Sequence, residues 1–252
     1  MNFQPEIARL CLRAVDRAYR RHALGNDLPE PERHATHELI DSAVRVEVYP
    51  AFVIVAFRGT DPDDLGEWMR NMDAKLIEPV DFYGGAGLTG RVHRGFYRSH
   101  LSSAAAAADI LAEFRAAWKP VVVAGHSAGA AEAMLYAMRQ FRGRIYAVYR
   151  FGGPRVGDAE WASLYDGQLG QKTFNLVLCN DVVPRLPPWR WGYRHAGRAV
   201  YIDRKGNLHP DARPSRWWFD RMLARAIGLV TGKGLGAFRR HGVRSYWAAL
   251  DF

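Results

Sequence analysis

The chain of 252 residues has few cysteines and no long apolar run, and each of these features excludes a class of protein. Its two cysteines, Cys11 and Cys179, are too few for a disulfide scaffold, and both fall in predicted regular structure, which indicates small core residues. The apolar runs are far shorter than the 18 or so residues of a membrane-spanning helix. Residues 1–25 carry charges along their length and lack the apolar stretch of a signal peptide. We therefore expect a cytoplasmic protein, free or membrane-associated; a secreted protein whose leader has been removed is the alternative.

Acidic residues are scarce in the last part of the chain. Residues 182–252 hold 14 Lys and Arg against 4 Asp and Glu, whereas residues 1–181 hold 21 against 22. Such a concentration of positive charge predicts peripheral contact with an anionic membrane surface. An arginine-rich face that contacts only water is the alternative interpretation, and no nucleic-acid partner is expected.

The composition, 48% hydrophobic and 24% charged, is that of a packed globular protein and excludes a disordered or collagen-like chain. Alternating strand and helix patterns predict the α/β class, with a mainly parallel central sheet and helices on both faces. Residues 44–48 and 52–57 predict an N-terminal antiparallel hairpin, and the polar residues 26–37 before it predict a loop. The length predicts one domain over residues 1–252. Further predicted elements are helices at 7–22, 101–118 and from GHSAG to about 140, and strands at 121–124, 145–151, 173–178 and 200–202.

The strongest local signal is Gly125-His126-Ser127-Ala128-Gly129, which follows a predicted strand and opens a predicted helix. This is the context of a nucleophile elbow, a strained turn that projects a serine hydroxyl from the edge of a sheet. Gly125 and Gly129 lie where a larger side chain would strike the neighbouring strand or helix. The helix N-terminus behind the turn favours developing negative charge. Ser127 is therefore the candidate nucleophile.

A serine nucleophile needs a base, and the base needs an acid that orients it. In elbow enzymes the acid follows the serine in the sequence, and the base follows the acid. Asp181 lies just past a predicted buried strand, at the carboxyl edge where parallel sheets place their sites. Asp158 and Asp203, which lie beyond other predicted strands, are the alternatives, and a simple turn or capping role is the structural interpretation of Asp181.

Three histidines lie downstream of Asp181. His241 precedes a predicted terminal helix, in a loop from which a base could reach across the sheet edge. His195 lies in a context that favours a structural role, and His209 lies in a polar turn that predicts exposure. Order and context favour His241 over His195, and they leave both open.

The oxyanion of an acyl-transfer reaction needs two hydrogen-bond donors. The backbone N–H of Ala128, the residue after the nucleophile, is one candidate. The second should come from a loop that leaves a neighbouring strand. Thr60, at the end of the strand exit Phe57-Arg58-Gly59-Thr60, could donate both its N–H and its hydroxyl.

Several segments in a fixed order resemble the class 3 lipase family, the fungal-lipase-like α/β-hydrolases. Together they cover about residues 44–202 and 241–247. The matching segments are VIVAFRGT at 53–60 with Trp68 and Asp73 after it, VHRGF at 92–96, VVVAGHSAGAAEA at 121–133, YRFGGPRVGD at 149–158, FNLVLCNDVVPRLPP at 174–188, GYRHAG at 192–197, and His241 before an aromatic-containing helix.

The resemblance implies an α/β-hydrolase fold and assigns a role to each candidate. It implies Ser127 as the nucleophile, Asp181 as the acid and His241 as the base. It also implies an oxyanion hole lined by Thr60 and Ala128, and a structural role for His195. One departure concerns the base: Arg240 stands where the family often has Asp, whereas the tyrosine that the family places a few residues later is present as Tyr246.

A second departure is the length of the stretch between His195 and His241, which predicts an insertion at about 203–240. Its apolar residues and flanking arginines fit a helix in a membrane interface or over the acyl pocket, and an ordinary buried helix is the alternative. Residues 61–70 are where the family usually carries its lid. The candidates for lid or lipid contact are Leu65, Trp68, Met69, Trp217 and Trp218.

These interpretations predict a serine hydrolase that cleaves lipid esters, like a triacylglycerol lipase, through an acyl-enzyme intermediate. No metal or other cofactor is expected, since the histidines lack a paired ligand spacing such as HExxH. Within acyl chemistry the alternatives are a phospholipase A1, a small-ester esterase and an acyltransferase. A non-catalytic lipid- or protein-binding module that keeps the fold is the alternative from another class.

Overall fold

A computed structural model describes residues 1–20, 24–40, 42–60, 73–79, 90–116, 118–140, 144–179, 181–210 and 241–250. The helices are α1 (Pro5–Ala18), α2 (Arg94–Glu113), α3 (Ala128–Arg139), α4 (Ala159–Leu169) and α5 (Val243–Trp247), and short 3-10 turns occupy Gly170–Lys172, Val183–Arg185 and Trp189–Trp191. The strands are β1 (Arg33–Glu38), β2 (Ala43–Val48), β3 (Val53–Arg58), β4 (Leu76–Ile77), β5 (Val92–His93), β6 (Val121–His126), β7 (Ile145–Phe151), β8 (Gly157–Asp158), β9 (Thr173–Leu178), β10 (Tyr193–Arg194), β11 (Arg198–Ile202) and β12 (Leu208–Pro210).

Within the described residues, eight strands form one sheet in the order β1-β2-β3-β6-β7-β9-β11-β12. Strands β3, β6, β7, β9 and β11 are parallel, whereas β1, β2 and β12 run antiparallel to their neighbours. The predicted parallel sheet and its N-terminal hairpin are therefore confirmed. The central strands are buried on both faces because their sequences are nearly continuous apolar runs.

Helices cover both faces of this sheet, as predicted. Helices α2, α3 and α4 pack on one face, and α1 and α5 on the other, so that each face has its own apolar core. Helix α1 begins with Pro5, which suits the first helical turn because the missing N–H has no partner there. Cys11 and Cys179 are buried, unbridged core residues, and burial raises the pKa of the Cys11 thiol.

A smaller sheet of β4, β5, β8 and β10 lies where the carboxyl edge of the main sheet meets the starts of α2 and α4. His93 ends β5 and caps α2, since its side chain accepts a hydrogen bond from the Phe96 N–H. Helix α2 begins seven residues before the predicted start at 101 and ends before Trp118. The predicted helix end at 118 is therefore wrong, and the Trp118 indole is 73% exposed.

Two predictions about polar segments are also wrong. Within the predicted loop 26–37, Arg33–Glu38 forms the edge strand β1, whose backbone pairs with β2 while most of its side chains are exposed. His209 lies in β12 rather than in an exposed turn, and 21% of its side chain is exposed. Both segments gain order from main-chain pairing with a neighbouring strand, which side-chain hydropathy does not report.

Of the predicted insertion at 203–240, residues 203–210 form a turn and β12, and residues 211–240 lie outside the described residues. Residues 61–72 also lie outside them. The structure therefore gives no position for the predicted lid or lipid contacts Leu65, Trp68, Met69, Trp217 and Trp218. None of the described helices combines the length and the apolar character that a bilayer crossing requires.

Candidate active site

Ser127 lies in the turn between β6 and α3 with φ 57° and ψ −131°, a backbone conformation that is strained for a residue with a Cβ atom. The turn is tight enough to demand glycine on both sides. A Cβ atom at Gly125 would lie 2.3 Å from the Gly129 carbonyl oxygen, and one at Gly129 would lie 2.4 Å from the Phe57 carbonyl oxygen. Glycine is therefore required two residues before and two residues after Ser127, because a side chain there would collide with the elbow itself or with β3.

His241 and Asp181, which are 60 residues apart in the sequence, form a buried pair. The His241 Nδ1 lies 2.7 Å from the Asp181 Oδ2, and the two side chains are 2% and 0% exposed. The same oxygen accepts a 2.6 Å hydrogen bond from the Tyr246 hydroxyl, and the other carboxylate oxygen accepts one of 2.9 Å from the Val183 N–H. Burial and the neighbouring carboxylate raise the pKa of Tyr246, so its hydroxyl remains a donor.

The His241 imidazole lies beside the elbow. Its ring stacks on the ring of His126, the residue before Ser127, with 4.5 Å between the ring centroids. The Ser127 Oγ and the His241 Nε2 are both buried, and neither has a hydrogen-bond partner within the described part of the chain. With Nδ1 donating to Asp181, the free Nε2 carries the lone pair that can accept a proton.

Gly152 makes room for the histidine and the aspartate together. It follows β7 with φ +60°, and a Cβ atom there would lie 2.7 Å from the Asp181 Oδ2 and 2.8 Å from the His241 Cε1. Both the space and the backbone conformation therefore require glycine at this position.

A chain of hydrogen bonds joins the elbow, the backbone of His241 and the loop after β3. The His126 Nε2–H donates to the His241 carbonyl oxygen over 2.5 Å. The other ring nitrogen, Nδ1, therefore accepts in the neutral ring, and the Tyr19 hydroxyl lies 3.0 Å from it. The same hydroxyl oxygen accepts a 3.1 Å hydrogen bond from the Gly59 N–H. Tyr19, at the end of α1, thus links three separate segments.

The loop after β3 lies directly against the elbow. A Cβ atom at Gly59 would lie 2.9 Å from the Ala128 backbone nitrogen and 2.6 Å from the His126 carbonyl oxygen. Thr60 is the next residue, half-buried, and its carbonyl oxygen lies 3.4 Å from the Tyr19 hydroxyl. Ala128 is the first residue of α3, where the backbone N–H has no acceptor inside its helix. The loop that carries Thr60 thus packs against the first residue of α3.

The alternative acids serve other purposes in the structure. The Asp158 side chain caps α4 by accepting from the Trp161 N–H, and it pairs with Arg91. Asp203 lies in the turn between β11 and β12, where its carboxylate is 2.9 Å from the His209 Nε2. His195 lines a cavity of about 220 Å³ whose wall also includes Asp181, Asn175 and Tyr201. The two Asp181 oxygens, however, are occupied by His241, Tyr246 and Val183.

Sequence reasoning missed Tyr19, Gly152 and the part played by His126. Tyr19 falls on the apolar face of the first predicted helix and therefore has the pattern of an ordinary core residue. Gly152 has a usable signal, since it directly follows a predicted buried strand at the carboxyl edge, where a glycine often marks a backbone with positive φ. In the described ranges, no group of three or more His, Cys, Asp or Glu side chains could hold a metal ion.

The model of one protein family, described as lipase (class 3), matches residues 54–191, which is more than half of the chain. A secreted mono- and diacylglycerol lipase of Malassezia restricta is 29% identical over 163 residues, covering 62% of this chain and 54% of that protein. A triacylglycerol lipase of Arabidopsis thaliana is 28% identical over 250 residues, covering 79% of this chain and 48% of that protein. The chain thus spans about half the length of these curated relatives.

Solved structures share the fold. A mutant form of MDLA from Penicillium cyclopium superposes with a TM-score of 0.63 at 23% identity, covering 94% of this chain and 92% of that chain. A lipase from Rhizopus microsporus var. chinensis superposes with a TM-score of 0.60 at 22% identity, covering 78% and 72%. These similarities confirm the predicted α/β-hydrolase fold.

Proposed function

The chain belongs to the class 3 lipase family, and we propose that it hydrolyses carboxylic esters of lipids with Ser127 as nucleophile, His241 as base and Asp181 as acid. The observation that carries the proposal is the buried His241–Asp181 pair beside a strained serine. A protonated Nδ1 held by a carboxylate leaves Nε2 available as a base, and the Ser127 Oγ, like that Nε2, forms no hydrogen bond with the described residues.

The reaction proceeds in two halves. His241 Nε2 takes the Ser127 hydroxyl proton while Oγ attacks the ester carbonyl carbon, and the Ala128 N–H and Thr60 stabilise the resulting oxyanion. The tetrahedral intermediate collapses, and the alcohol leaves with the proton from His241. Water then attacks the acyl-enzyme with His241 again as base, which releases the carboxylic acid and returns the proton to Ser127. Asp181 keeps the imidazole in the required tautomer and stabilises the imidazolium.

The matched relatives support glyceride esters as the substrate class, since their names describe mono- and diacylglycerol and triacylglycerol lipases. Phospholipase A1, small-ester esterase and acyltransferase activities use the same groups and are outcomes of the assay below. The Malassezia restricta relative is named as secreted, which favours secretion over the cytoplasmic location expected from the sequence. The positive charge of residues 182–252 supports peripheral contact with an anionic lipid surface.

Turnover of chromogenic esters with graded acyl lengths tests the proposal. Wild-type protein should hydrolyse them, and S127A and H241A should each lose activity by at least about 10⁴-fold, because triad members act as a unit. H195A is the matched control, since His195 lines a cavity that Asp181 also lines, and this variant should retain most of the activity.

Full activity in S127A would refute the nucleophile, and loss of activity in H195A with retention in H241A would refute the base. No turnover of any ester by folded wild-type protein would favour the non-catalytic binding module.

A further inference from the structure

An exposed cluster of two indoles and two guanidinium groups lies on the surface turn before β10. We call Trp189, Arg190, Trp191 and Arg194 the tryptophan–arginine turn. The indoles of Trp189 and Trp191 are 58% and 61% exposed, and none of the residues of this 3-10 turn is buried. Exposed indoles two positions apart leave apolar area in water, which the fold itself does not use.

The tryptophan–arginine turn lies on the side of the molecule that carries the candidate site. It follows the Val183–Arg185 turn, which begins two residues after Asp181. It continues into β10, whose last residue is Arg194 and which pairs with β8 at the start of α4, so it lies at the carboxyl edge of the parallel strands. The Ser127 elbow lies at the same edge, at the end of β6.

The charge of this turn is not balanced by neighbouring acids in the described structure. Residues 182–202 contain four arginines and no Asp or Glu. Arg190 lies over the Trp189 ring at 5.6 Å, and Arg194 donates to the carbonyl oxygens of Trp189 and Tyr193. Among the described residues, no carboxylate forms a salt bridge with Arg190 or Arg194, although salt bridges hold many other arginines.

We propose that the tryptophan–arginine turn docks the protein on a lipid surface that carries anionic headgroups. Indole rings prefer the boundary between headgroups and acyl chains, where the ring is apolar and its N–H stays hydrogen-bonded. Guanidinium groups bind phosphate oxygens in bidentate fashion. The inference rests on the proposed function only in that a lipid-ester hydrolase must meet its substrate at a surface, and docking here would turn the catalytic edge toward the lipid.

Trp118 provides a matched control. Its indole is 73% exposed and lies 5.5 Å from the Lys119 ammonium, so it is also an exposed tryptophan beside a cation. It precedes Val121, the first residue of β6, and therefore lies at the amino edge of the sheet, opposite the elbow. Docking through the tryptophan–arginine turn needs the indoles of that turn and does not need Trp118.

Co-sedimentation with vesicles tests this surface. The protein carries S127A, so that the lipids stay intact, and the vesicles are pure phosphatidylcholine or phosphatidylcholine with one-fifth phosphatidylglycerol. Binding should favour the anionic vesicles. W189A/W191A should weaken it about tenfold, R190Q/R194Q should weaken it about 30-fold on anionic vesicles alone, and W118A should leave it unchanged.

Equal weakening by W118A, or undiminished binding by W189A/W191A, would overturn the proposal. So would a self-association of the chain that W189A/W191A abolishes in the absence of vesicles, since the turn would then serve a second copy. The same variants with Ser127 intact should hydrolyse a dissolved short-chain ester at the wild-type rate, which shows that they fold. Vesicle binding without any ester turnover in wild type would refute the proposed function and leave the docking surface standing.

Discussion

The described part of the chain contains two pairs of histidine and aspartate with nearly the same separation. His241 and Asp181 lie 2.7 Å apart, and His209 and Asp203 lie 2.9 Å apart. The first pair is 2% and 0% exposed beside the elbow, whereas the second is 21% and 14% exposed in the turn between β11 and β12. The comparison shows that a short contact between the two side chains does not define a catalytic pair.

The two aspartates differ in the groups that donate hydrogen bonds to them. Asp181 accepts from Tyr246 and the Val183 N–H, which hold it beneath an imidazole whose other nitrogen is free. Asp203 accepts from Asn207 and from the backbone N–H groups of Lys205 and Asn207, which close its own turn. Burial alone would raise the pKa of Asp203, but these hydrogen bonds and the one from His209 hold that pKa well below its usual range. In the proposed mechanism the first pair orients the base, whereas the second pair stabilises a turn.

The largest expected effect separates the two pairs by activity. D181N should lower kcat by about 10⁴-fold, because an amide at this position no longer selects the imidazole tautomer that accepts the serine proton. D203N, the matched substitution in the other pair, should leave kcat within about twofold. Steady-state turnover of a soluble ester by both variants measures the two kcat values. A loss of kcat in D203N as large as that in D181N would show that the two pairs do not differ in their contribution to activity.

A smaller effect should come from the hydrogen-bond chain that serves only the first pair. Y19F removes the hydroxyl that accepts from the Gly59 N–H and approaches His126. We expect kcat to fall about 3- to 10-fold, as for one net hydrogen bond, with KM little changed. Y49F removes a buried hydroxyl that bonds Glu47 and Arg13, away from the elbow, and serves as the control. A loss of stability in Y19F with unchanged kcat would mean that Tyr19 only packs.

The smallest effect should appear in stability rather than in activity. The carboxylate of Asp203 has a lowered pKa in the folded state, so its contribution to stability is present above the unfolded pKa of about 4 and is lost as the pH falls through the folded value. D203N should therefore lower the free energy of unfolding by roughly 1 kcal/mol at pH 7. Urea unfolding of both proteins at pH 7, 5 and 3 should show this difference shrinking toward acid pH, whereas a constant difference would contradict it.

Sequence patterns are informative where side chains alone determine the structure. Strands β7 and β9 have the predicted bounds 145–151 and 173–178, because each is a mainly apolar run between turn residues. Strand β1 escapes prediction because its exposed side chains carry no hydropathy signal and its order comes from backbone pairing with β2. The role of Tyr19 could not be predicted, because its position beside the elbow depends on how α1 packs across β3 and β6. The sequence pattern of α1 does not report that packing.

The restraints on His241 come from residues outside α5, the short helix that follows it. His126 holds its carbonyl oxygen, Asp181 holds its ring, and Gly152 leaves the space that the ring fills. Contacts with these three residues therefore fix the position of the imidazole. A substitution at Gly152 or His126 should therefore displace the imidazole, although both residues are far from His241 in the sequence.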